Sequence, residues 1–309
     1  GVGGAGMLPP ARSSIPLASG VLGSAVERAV SEHLGRRWPI RGARDMADYA
    51  CHPAAILSDG SYSVFAKFSE AANGSEQFEV ELAGLRLLSD RAGVLIPTPI
   101  AIVPAAGGCI LVLEGVEAVE RGPRQWRQMG RALARIHAIK GQQFGLETNG
   151  FYGPLEQDNR PLDGWPAFYA ERRLWPGLKL AIASGNLPGD LIGRVEALIS
   201  RVPELCGPEV VPTLLHGDAQ QNNFISTEKG AVVIDPAVYY GHPEVDLATI
   251  DYFQAVPEHV FDGYREEATI DPGFAERRDL WRVCGYLAAV TVEGAGYLGL
   301  LTGAMERYG

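Results

Sequence analysis

Hydrophobic and polar positions in the first 115 residues predict a small sheet accompanied by two helices. Apolar residues recur at helical spacing in residues 21–36, where Gly35 marks the helix end, and again in residues 75–88. Short apolar and β-branched stretches predict four strands, at residues 54–57, 62–68, 98–103 and 110–114. The tripeptide Ser58-Asp59-Gly60 supplies a hairpin turn between the first two.

From Pro123 onward the pattern becomes helical. Pro123 suits a first helical position, and Trp126, Met129, Leu133 and Ile136 follow on one face. Further helices are predicted at residues 165–184, 189–201, 243–254, 257–268 and 274–301, and only residues 213–235 have a strand-like pattern. The chain is therefore predicted to be α+β and bilobal. We assign residues 1–20 to a flexible leader, 21–115 to a small β-rich lobe and 116–309 to a large, mainly helical lobe.

Composition narrows the class of protein. The 309 residues are 46% apolar with a net charge of −10, and no apolar run is long enough for a membrane helix. An acidic chain repels nucleic-acid phosphates but would suit an amine-bearing substrate. The four cysteines are far apart and form no CxxC pair, which favours a reducing cytoplasm. The leader lacks the features of a signal peptide, and Met7 is the expected natural start.

Two acids and an amide recur at an informative spacing in residues 214–235. Asp218 follows a glycine turn at the end of a short strand, Asn223 lies five residues further on, and Asp235 ends a β-branched run. A turn at residues 228–230 would bring Asn223 and Asp235 together. Phosphoryl transfer needs such a set, a carboxylate to orient a hydroxyl and two oxygen ligands for a metal. The alternative is an ordinary Gly-Asp turn and a structural hairpin.

A lysine and a glutamate in the small lobe fit the same chemistry. Lys67 shares a strand face with Phe65, and Glu81 falls within the apolar arc of the helix at residues 75–88. A carboxylate on a buried face needs a cationic partner, for which Lys67 is the candidate. In kinases such a pair positions the lysine against nucleotide phosphates. The alternatives are an edge lysine and a glutamate that bends to solvent.

Asp246 lies where a loop enters the helix predicted at residues 243–254. It could brace the loop around His216, or it could be a plain helix cap. His216 and His242 are predicted to be structural, because the chain offers neither a Ser-His-Asp arrangement nor a histidine cluster for a metal.

Several segments together resemble the fructosamine kinase family, within the aminoglycoside phosphotransferase-like, protein-kinase-like superfamily. The most specific is IDPAVYYGHPEVDLA at residues 234–248. Further matches are VFAK (64–67), FEVELAGL (78–85), WPAFYAERRL (165–174), LLHGD (214–218) and VPEHVFDGYRE (256–266). The resemblance covers about residues 50–300 and implies a bilobal kinase fold, ATP, Mg²⁺ and phosphorylation of a small-molecule hydroxyl.

The resemblance also assigns roles to residues. It implies that Asp218 is the catalytic base and that Asn223 and Asp235 hold the metal and the nucleotide. Lys67 with Glu81 would hold the phosphates, and the adenine would lie near the strand that ends at Glu114.

Departures from the family pattern concern the acceptor side. After His-Gly-Asp the family usually has Leu-Trp and then Gly-Asn, whereas this chain has residues 219–223 as Ala-Gln-Gln-Asn-Asn. Near the C-terminus the family's Asn-His-x-Asn-x-Phe-Gly run corresponds to residues 288–294, Ala-Ala-Val-Thr-Val-Glu-Gly. The phosphate loop around residues 48–55 lacks the usual glycines and contains Cys51, for which inert burial is predicted over redox sensitivity.

We therefore predict an ATP-dependent kinase that phosphorylates a hydroxyl of a fructosamine-like glycated amine, in the cytoplasm. One alternative is an aminoglycoside-type O-phosphotransferase, which the altered acceptor segments favour. The other is a pseudokinase that binds a nucleotide without turnover.

Overall fold

The computed structural model describes residues 15–46 and 52–309, which divide into two units. The first comprises the described residues up to Ala83 together with Pro97–Ala118, and the second comprises Gly84–Ile96 and Val119–Gly309. Within the described ranges, no helix combines the length and the apolar character needed to cross a membrane.

The first unit is built on a five-stranded antiparallel sheet with the strand order β1-β2-β3-β5-β4. Its strands are β1 (Gly42–Asp45), β2 (Ala54–Ser58), β3 (Ser63–Ser69), β4 (Pro99–Ala105) and β5 (Gly108–Glu114). Helix α1 (Gly20–Leu34) packs against β4, and helix α2 (Gly74–Leu87) follows β3. The predicted hairpin turn is present, with the Asp59 carboxylate accepting hydrogen bonds from the backbone N–H groups of Ser61 and Tyr62.

The segment that precedes α1 corrects the predicted leader. A short 3₁₀ turn at Pro16–Ala18 leads into the helix, and Ile15, Leu17 and Ala18 are buried in the core of the first unit. The expectation of a flexible leader is therefore wrong for residues 15–20, because their apolar side chains complete that core. Residues 1–14, with Met7, lie outside the described residues, as do residues 47–51 with Cys51 and most of the predicted phosphate loop.

The second unit is mainly helical. Its helices are α3 (Pro123–His137), α4 (Trp165–Phe168), α5 (Trp175–Ser184), α6 (Gly189–Leu205), α7 (Pro243–Thr249), α8 (His259–Arg265), α9 (Phe274–Glu293) and α10 (Leu298–Glu306). A π-helical turn at Tyr169–Leu174 joins α4 to α5. Six short strands form three antiparallel pairs: β6 (Gly150–Tyr152) with β7 (Leu155–Gln157), β8 (Thr213–Leu215) with β11 (Tyr239–Gly241), and β9 (Phe224–Thr227) with β10 (Gly230–Val233).

Two details of the second unit differ from the prediction. The helix expected at residues 274–301 ends at Glu293, because Gly294 adopts a φ of 101° that a helix does not accommodate. Residues 213–235 are not the only strand-like region, since β6, β7 and β11 lie outside them. Each of these strands has three residues, too few for alternation to be seen in the sequence.

Helices α3 and α8 meet through two glycines. A Cβ atom on Gly130 would lie 1.8 Å from the carbonyl oxygen of Val260, and one on Gly263 would lie 2.2 Å from that of Arg127. The two backbones therefore approach as closely as glycine allows. His137 on α3 and Tyr264 on α8 also meet, with Nδ1 of the histidine 2.8 Å from the tyrosine hydroxyl.

Candidate active site

Lys67 and Glu81 form a buried ion pair within the first unit. Lys67 lies on the central strand β3, opposite Ala54 of β2 and Leu111 of β5, and is only 5% exposed. Its Nζ atom is 2.5 Å from Oε1 of Glu81 on α2 and also lies over the ring of Phe78. The structure thus brings together the two residues that the periodicity selected, and burial makes each charge depend on the other.

Glu114 is the last residue of β5. Its N–H donates to the carbonyl of Thr98 over 2.8 Å, and its side chain lies near the hydroxyl of Tyr62. Burial, together with the negative charge of Glu114, raises the pKa of Tyr62 to about 12. The contribution of this strand end to adenine binding stays a prediction.

The loop after β8 places Asp218 by means of its two preceding residues. Gly217 has a φ of 88°, and a Cβ there would lie 1.9 Å from the carbonyl oxygen of Ala237, so only glycine fits. Nε2 of His216 donates to the carbonyl of Ile234, and Nδ1 accepts from the N–H of Asp218. Burial lowers the pKa of His216, which keeps the ring neutral as this pattern requires. His216 is therefore structural, as predicted.

Asp246 holds the same loop from behind. Its fully buried carboxylate accepts hydrogen bonds from the backbone N–H groups of His216 at 2.8 Å and Gly217 at 3.1 Å. Nε2 of His137 also lies 2.8 Å from it, and Nδ1 of that ring is 2.8 Å from the hydroxyl of Tyr264. The bracing role is confirmed, and the helix cap is instead His242, whose side chain accepts from Glu244.

The β9–β10 hairpin brings Asn223 and Asp235 together. Val233 pairs with Phe224, and the carbonyl of Asn223 accepts from the N–H of Ile234 over 3.0 Å. Asn223 also donates from Nδ2 to the carbonyl of Asp218 over 2.7 Å. Asp235 itself has a φ of 48°, in the left-handed region that non-glycine residues adopt at a cost. The three residues singled out by their spacing therefore lie in one place.

The electrostatics of this place are unusual. Burial, and then the charge of Asp235, raise the pKa of Asp218 to about 7. Donors act against this rise: the amides of Gln220 and Asn223 and the hydroxyl of Tyr152 all lower the pKa. Nε2 of Gln220 lies 3.2 Å from Oδ1 of Asp218. A carboxyl whose pKa lies near neutrality is suited to accept a proton from a hydroxyl.

A sequence model of the fructosamine kinase family matches residues 22–308. The chain belongs to the fructosamine kinase family. The probable ketoamine kinase of Synechocystis sp. is 31% identical over 289 residues, which cover 92% of this chain and 95% of that protein. The predicted family and the kinase class of the function are thereby confirmed.

Solved structures agree with the predicted fold. A protein of Thermobifida fusca assigned to the fructosamine-3-kinases is 29% identical with a TM-score of 0.79, covering 92% of this chain and 98% of that one. A thermostable mutant of the aminoglycoside phosphotransferase APH(4)-Ia, solved with ADP and hygromycin B, has a TM-score of 0.61 at 14% identity. That match covers 92% of this chain and 96% of the other, and it shows the fold alone.

One of the two segments in which this chain departs from the family pattern lines a cavity of the second unit. Gly217 lines it, and so do Ala288 and Thr291 from the altered C-terminal segment on α9. The other altered segment supplies Gln220, which contacts Asp218 at the place of the usual tryptophan. One altered segment therefore contacts Asp218 and the other lines a cavity that Gly217 also lines, and their position facing the acceptor stays a prediction.

The candidate metal ligands fit a hard cation. Within the described ranges, no group of three or more His, Cys, Asp or Glu side chains could hold a metal. Asn223 and Asp235 instead offer one amide and one carboxylate oxygen, a partial set that Mg²⁺ completes with phosphates and water. The repulsion between Asp218 and Asp235 supports a cation site independently of the ligand types, because a divalent cation at Asp235 would relieve that repulsion.

Two tyrosines near Asp218 were not expected from the sequence. Tyr152 ends the short strand β6, and Tyr252 lies in the turn after α7. Both interact electrostatically with Asp218, which is far from them in the chain. Tyr152 lies in no motif or periodic stretch, and Tyr252 fell within the helix predicted at residues 243–254, which in the structure ends at Thr249.

Proposed function

We propose that this protein is an ATP-dependent ketosamine kinase that phosphorylates the 3-hydroxyl of its substrate. The observation that carries the proposal is the half-buried Asp218, which a family-typical loop holds beside Asn223 and Asp235. The names of the Synechocystis and Thermobifida relatives support the ketoamine as the substrate and the 3-position as the acceptor.

In this proposal Asp218 acts as the general base. Its carboxylate accepts the hydrogen bond of the acceptor hydroxyl and takes the proton as the oxygen–phosphorus bond forms. The bond between the γ-phosphorus and the β–γ bridging oxygen breaks, and ADP leaves with that electron pair. A pKa near 7 lets Asp218 hold the proton and afterwards release it to solvent.

In this proposal the residues that the family resemblance selected bind the nucleotide and its metal. The ion pair of Lys67 with Glu81 presents an oriented ammonium group to the phosphates, and β5 up to Glu114 supplies the adenine site. Asn223 and Asp235 would hold Mg²⁺, which when bound neutralises phosphate charge. The ADP found in the APH(4)-Ia structure supports a nucleotide site in this fold.

An aminoglycoside-type kinase is the second candidate, and the altered acceptor segments at residues 219–222 and 288–294 favour it. A pseudokinase is less well supported, because Lys67, Asp218, Asn223 and Asp235 are all present and engaged. Cys109, Cys206 and Cys284 are free thiols among the described cysteines, which supports the proposed cytoplasmic location.

A phosphoryl-acceptor screen tests the proposal. Labelled ATP is offered with fructosyl-lysine, ribulosyl-lysine and several aminoglycosides, first to the native protein and then to Asp218→Ala. We expect transfer to a ketosamine that Asp218→Ala abolishes, while nucleotide still raises the melting temperature. Asp190→Ala, an exposed acid at the start of α6, is the matched control.

Each other outcome has a meaning. Transfer to an aminoglycoside alone would establish the second candidate. Unchanged transfer in Asp218→Ala would exclude this residue as the base. Stabilisation by nucleotide without transfer to any acceptor would identify a pseudokinase.

A further inference from the structure

A cavity of the second unit borders the loop that carries the candidate base. Gly217, the residue that precedes Asp218, lines this cavity, and residues of α5, α7 and α9 form a helical wall. The cavity volume of about 80 Å³ is several times the ~10–15 Å³ that one water molecule needs. The cavity therefore has room for a group of a few carbon atoms next to the loop of Asp218.

The helical wall is mainly apolar. Its apolar side chains are those of Pro176 and Leu180 on α5, Val245 on α7 and Ala288 on α9. Leu180 is 38% exposed, although Leu178 on the same helix is fully buried. A leucine that is exposed at a cavity offers apolar surface that a bound group can remove from water.

The polar side chains of the helical wall make their hydrogen bonds within the protein. Thr249 and Thr291 each donate to the carbonyl four residues earlier in the helix, over 3.1 and 2.8 Å. Nε1 of Trp281 donates to the buried carboxylate of Glu244 over 3.0 Å, and Sγ of Cys284 lies 3.9 Å from a backbone carbonyl. These residues keep no uncommitted donor for a hydroxyl-rich ligand, whereas a hydrocarbon group needs none.

The charged residues that line the cavity are engaged with protein groups. Asp158 pairs with Arg160 over 2.7 Å and also lies 3.9 Å from Arg172. Both terminal nitrogens of Arg173 donate, to backbone carbonyls and to an asparagine. Glu156 is exposed and lies on β7, where successive side chains point to opposite faces, so it points away from its two neighbours on the strand. These contacts leave the apolar helical wall to decide what the cavity binds.

Two glycines keep the cavity open. Gly177 lies within α5 and Gly285 within α9, and both line the cavity. A Cβ atom on Gly285 would lie 2.7 Å from the ring of Tyr252, whereas one on Gly177 would make an ordinary contact of 3.6 Å with Leu287. A glycine inside a helix is less stable than an alanine, and at Gly177 an alanine would fit. The space at Gly177 is therefore kept open at a cost in helix stability.

We propose that this cavity is a subsite for a small hydrocarbon substituent on the amine of the acceptor. The protein then prefers ketosamines of amines with a small apolar side chain, such as fructosyl-leucine. This inference rests on the proposed ketosamine kinase activity. With the acceptor hydroxyl at Asp218, the substituent on the amine two carbons away passes Gly217 and packs against Leu180 and Ala288.

The test compares three acceptors that share their sugar, amine and carboxylate: fructosyl-glycine, fructosyl-leucine and fructosyl-asparagine. The leucine and asparagine side chains have the same number of non-hydrogen atoms, so the comparison separates apolar burial from size. We expect kcat/KM for fructosyl-leucine to exceed the values for the other two about 10-fold. Equal values, or a preference for fructosyl-asparagine or fructosyl-lysine, would overturn the inference.

Two substitutions place the preference in the cavity. Gly177→Ala fills part of the space, and Leu180→Ala removes part of the wall. We expect each to lower the ratio of kcat/KM between fructosyl-leucine and fructosyl-glycine about 5-fold. Gly177→Ala should melt at or above the native temperature, because the added methyl group fits and favours the helix. An unchanged ratio in both variants would show that the side chain binds elsewhere.

Each substitution has a matched control outside the cavity. Gly193→Ala makes the same change in α6, where a Cβ atom meets nothing within 4 Å. Ile182→Ala shortens another exposed apolar side chain of α5. Both should keep the native ratio, and a fall as large as that in the cavity variants would contradict the assignment.

Calorimetry with ADP in place of ATP separates this inference from the proposed function. We expect fructosyl-leucine to bind about 10-fold more tightly than fructosyl-glycine, with a more negative heat-capacity change. If this preference is present and falls in Gly177→Ala while no acceptor is phosphorylated, the proposed function fails and the subsite stands. If ketosamines are phosphorylated equally well whatever their side chain, the function stands and the subsite is wrong. Absence of binding by all three compounds would overturn both.

Discussion

Lys67 and Glu81 in the first unit pair opposite charges, whereas Asp218 and Asp235 in the second unit place like charges near each other. The first pair is electrostatically complete without any ligand. The second is not, because burial and mutual repulsion both oppose ionisation of Asp218. Only the second pair would be stabilised electrostatically by binding a cation or a proton. This difference is what a binding pair and a reacting pair would show.

Like charge is not a general property of the second unit. Arg277 makes a bidentate pair with Glu244, at 2.8 Å for both contacts, and Trp281 donates to the same carboxylate. The scaffold of this unit therefore compensates its buried charges as the first unit does. The exception is confined to Asp218 and its surroundings. Three substitutions test the contrast between the opposite-charge pair and the like-charge pair.

The largest expected effect is that of Asp218→Asn. We expect kcat to fall about 1000-fold, because a general base contributes 10²–10⁴-fold. In metal-free buffer the same variant should be more stable than the native protein at pH 8, by about 1–3 kcal/mol. The pKa of Asp218 is raised from 3.8 to about 7 in the folded state, so its ionisation in the unfolded chain opposes folding increasingly between these pH values and by a constant amount above them. The gain should therefore shrink as the pH falls from 7 towards 4.

Kinetics and thermal unfolding at several pH values measure both effects. Asp190→Asn, which alters an exposed acid, should change neither. A destabilised Asp218→Asn at pH 8 would show that the like-charge description of this site is wrong.

The second effect concerns the opposite charges. Lys67→Met should lower stability by about 3 kcal/mol, because Glu81 is left in a buried place without its cation. Adding Glu81→Leu should restore most of that loss, whereas nucleotide binding stays impaired in both variants. Denaturant unfolding and ATP titration measure the two quantities.

Lys229→Met is the control, since this lysine is exposed in the β9–β10 turn. A double variant no more stable than Lys67→Met would mean that the pair is not energetically coupled.

The smallest effect tests the scaffold of the second unit. Burial lowers the pKa of His242 to about 4, so the unfolded chain takes up this proton first as the pH falls below 6.5. Stability is complete above pH 6.5 and should drop by up to about 3 kcal/mol towards pH 4. His242→Asn keeps a capping acceptor for Glu244 and should flatten this decline in thermal unfolding curves.

His33→Asn, an exposed change in α1, should leave the slope as it is. An equally steep decline in His242→Asn would assign the acid sensitivity to other groups.

The contrast also explains which parts could be predicted. Lys67 and Glu81 lie on a strand and a helix, where periodicity shows which side chains are buried. Asp218, Asn223 and Asp235 lie in loops, but a hairpin between them made their spacing informative. Tyr152 could not be found, because its partners come from distant segments that only the tertiary fold brings together. The packing of Ile15–Ala18 was missed for a related reason, since a short apolar turn has no period.

The hydrogen bonds that Asp246 accepts from the loop before Asp218 have a consequence for how such an enzyme can change its substrate. Asp246 holds the catalytic loop through the backbone of His216 and Gly217, and it uses no side chain of residues 219–222. Residues 219–222 can therefore be exchanged without removing the contacts that hold the backbone before Asp218. Engineering a new acceptor specificity should begin at Gln220 and in the cavity wall, and should leave the histidines and Asp246 untouched.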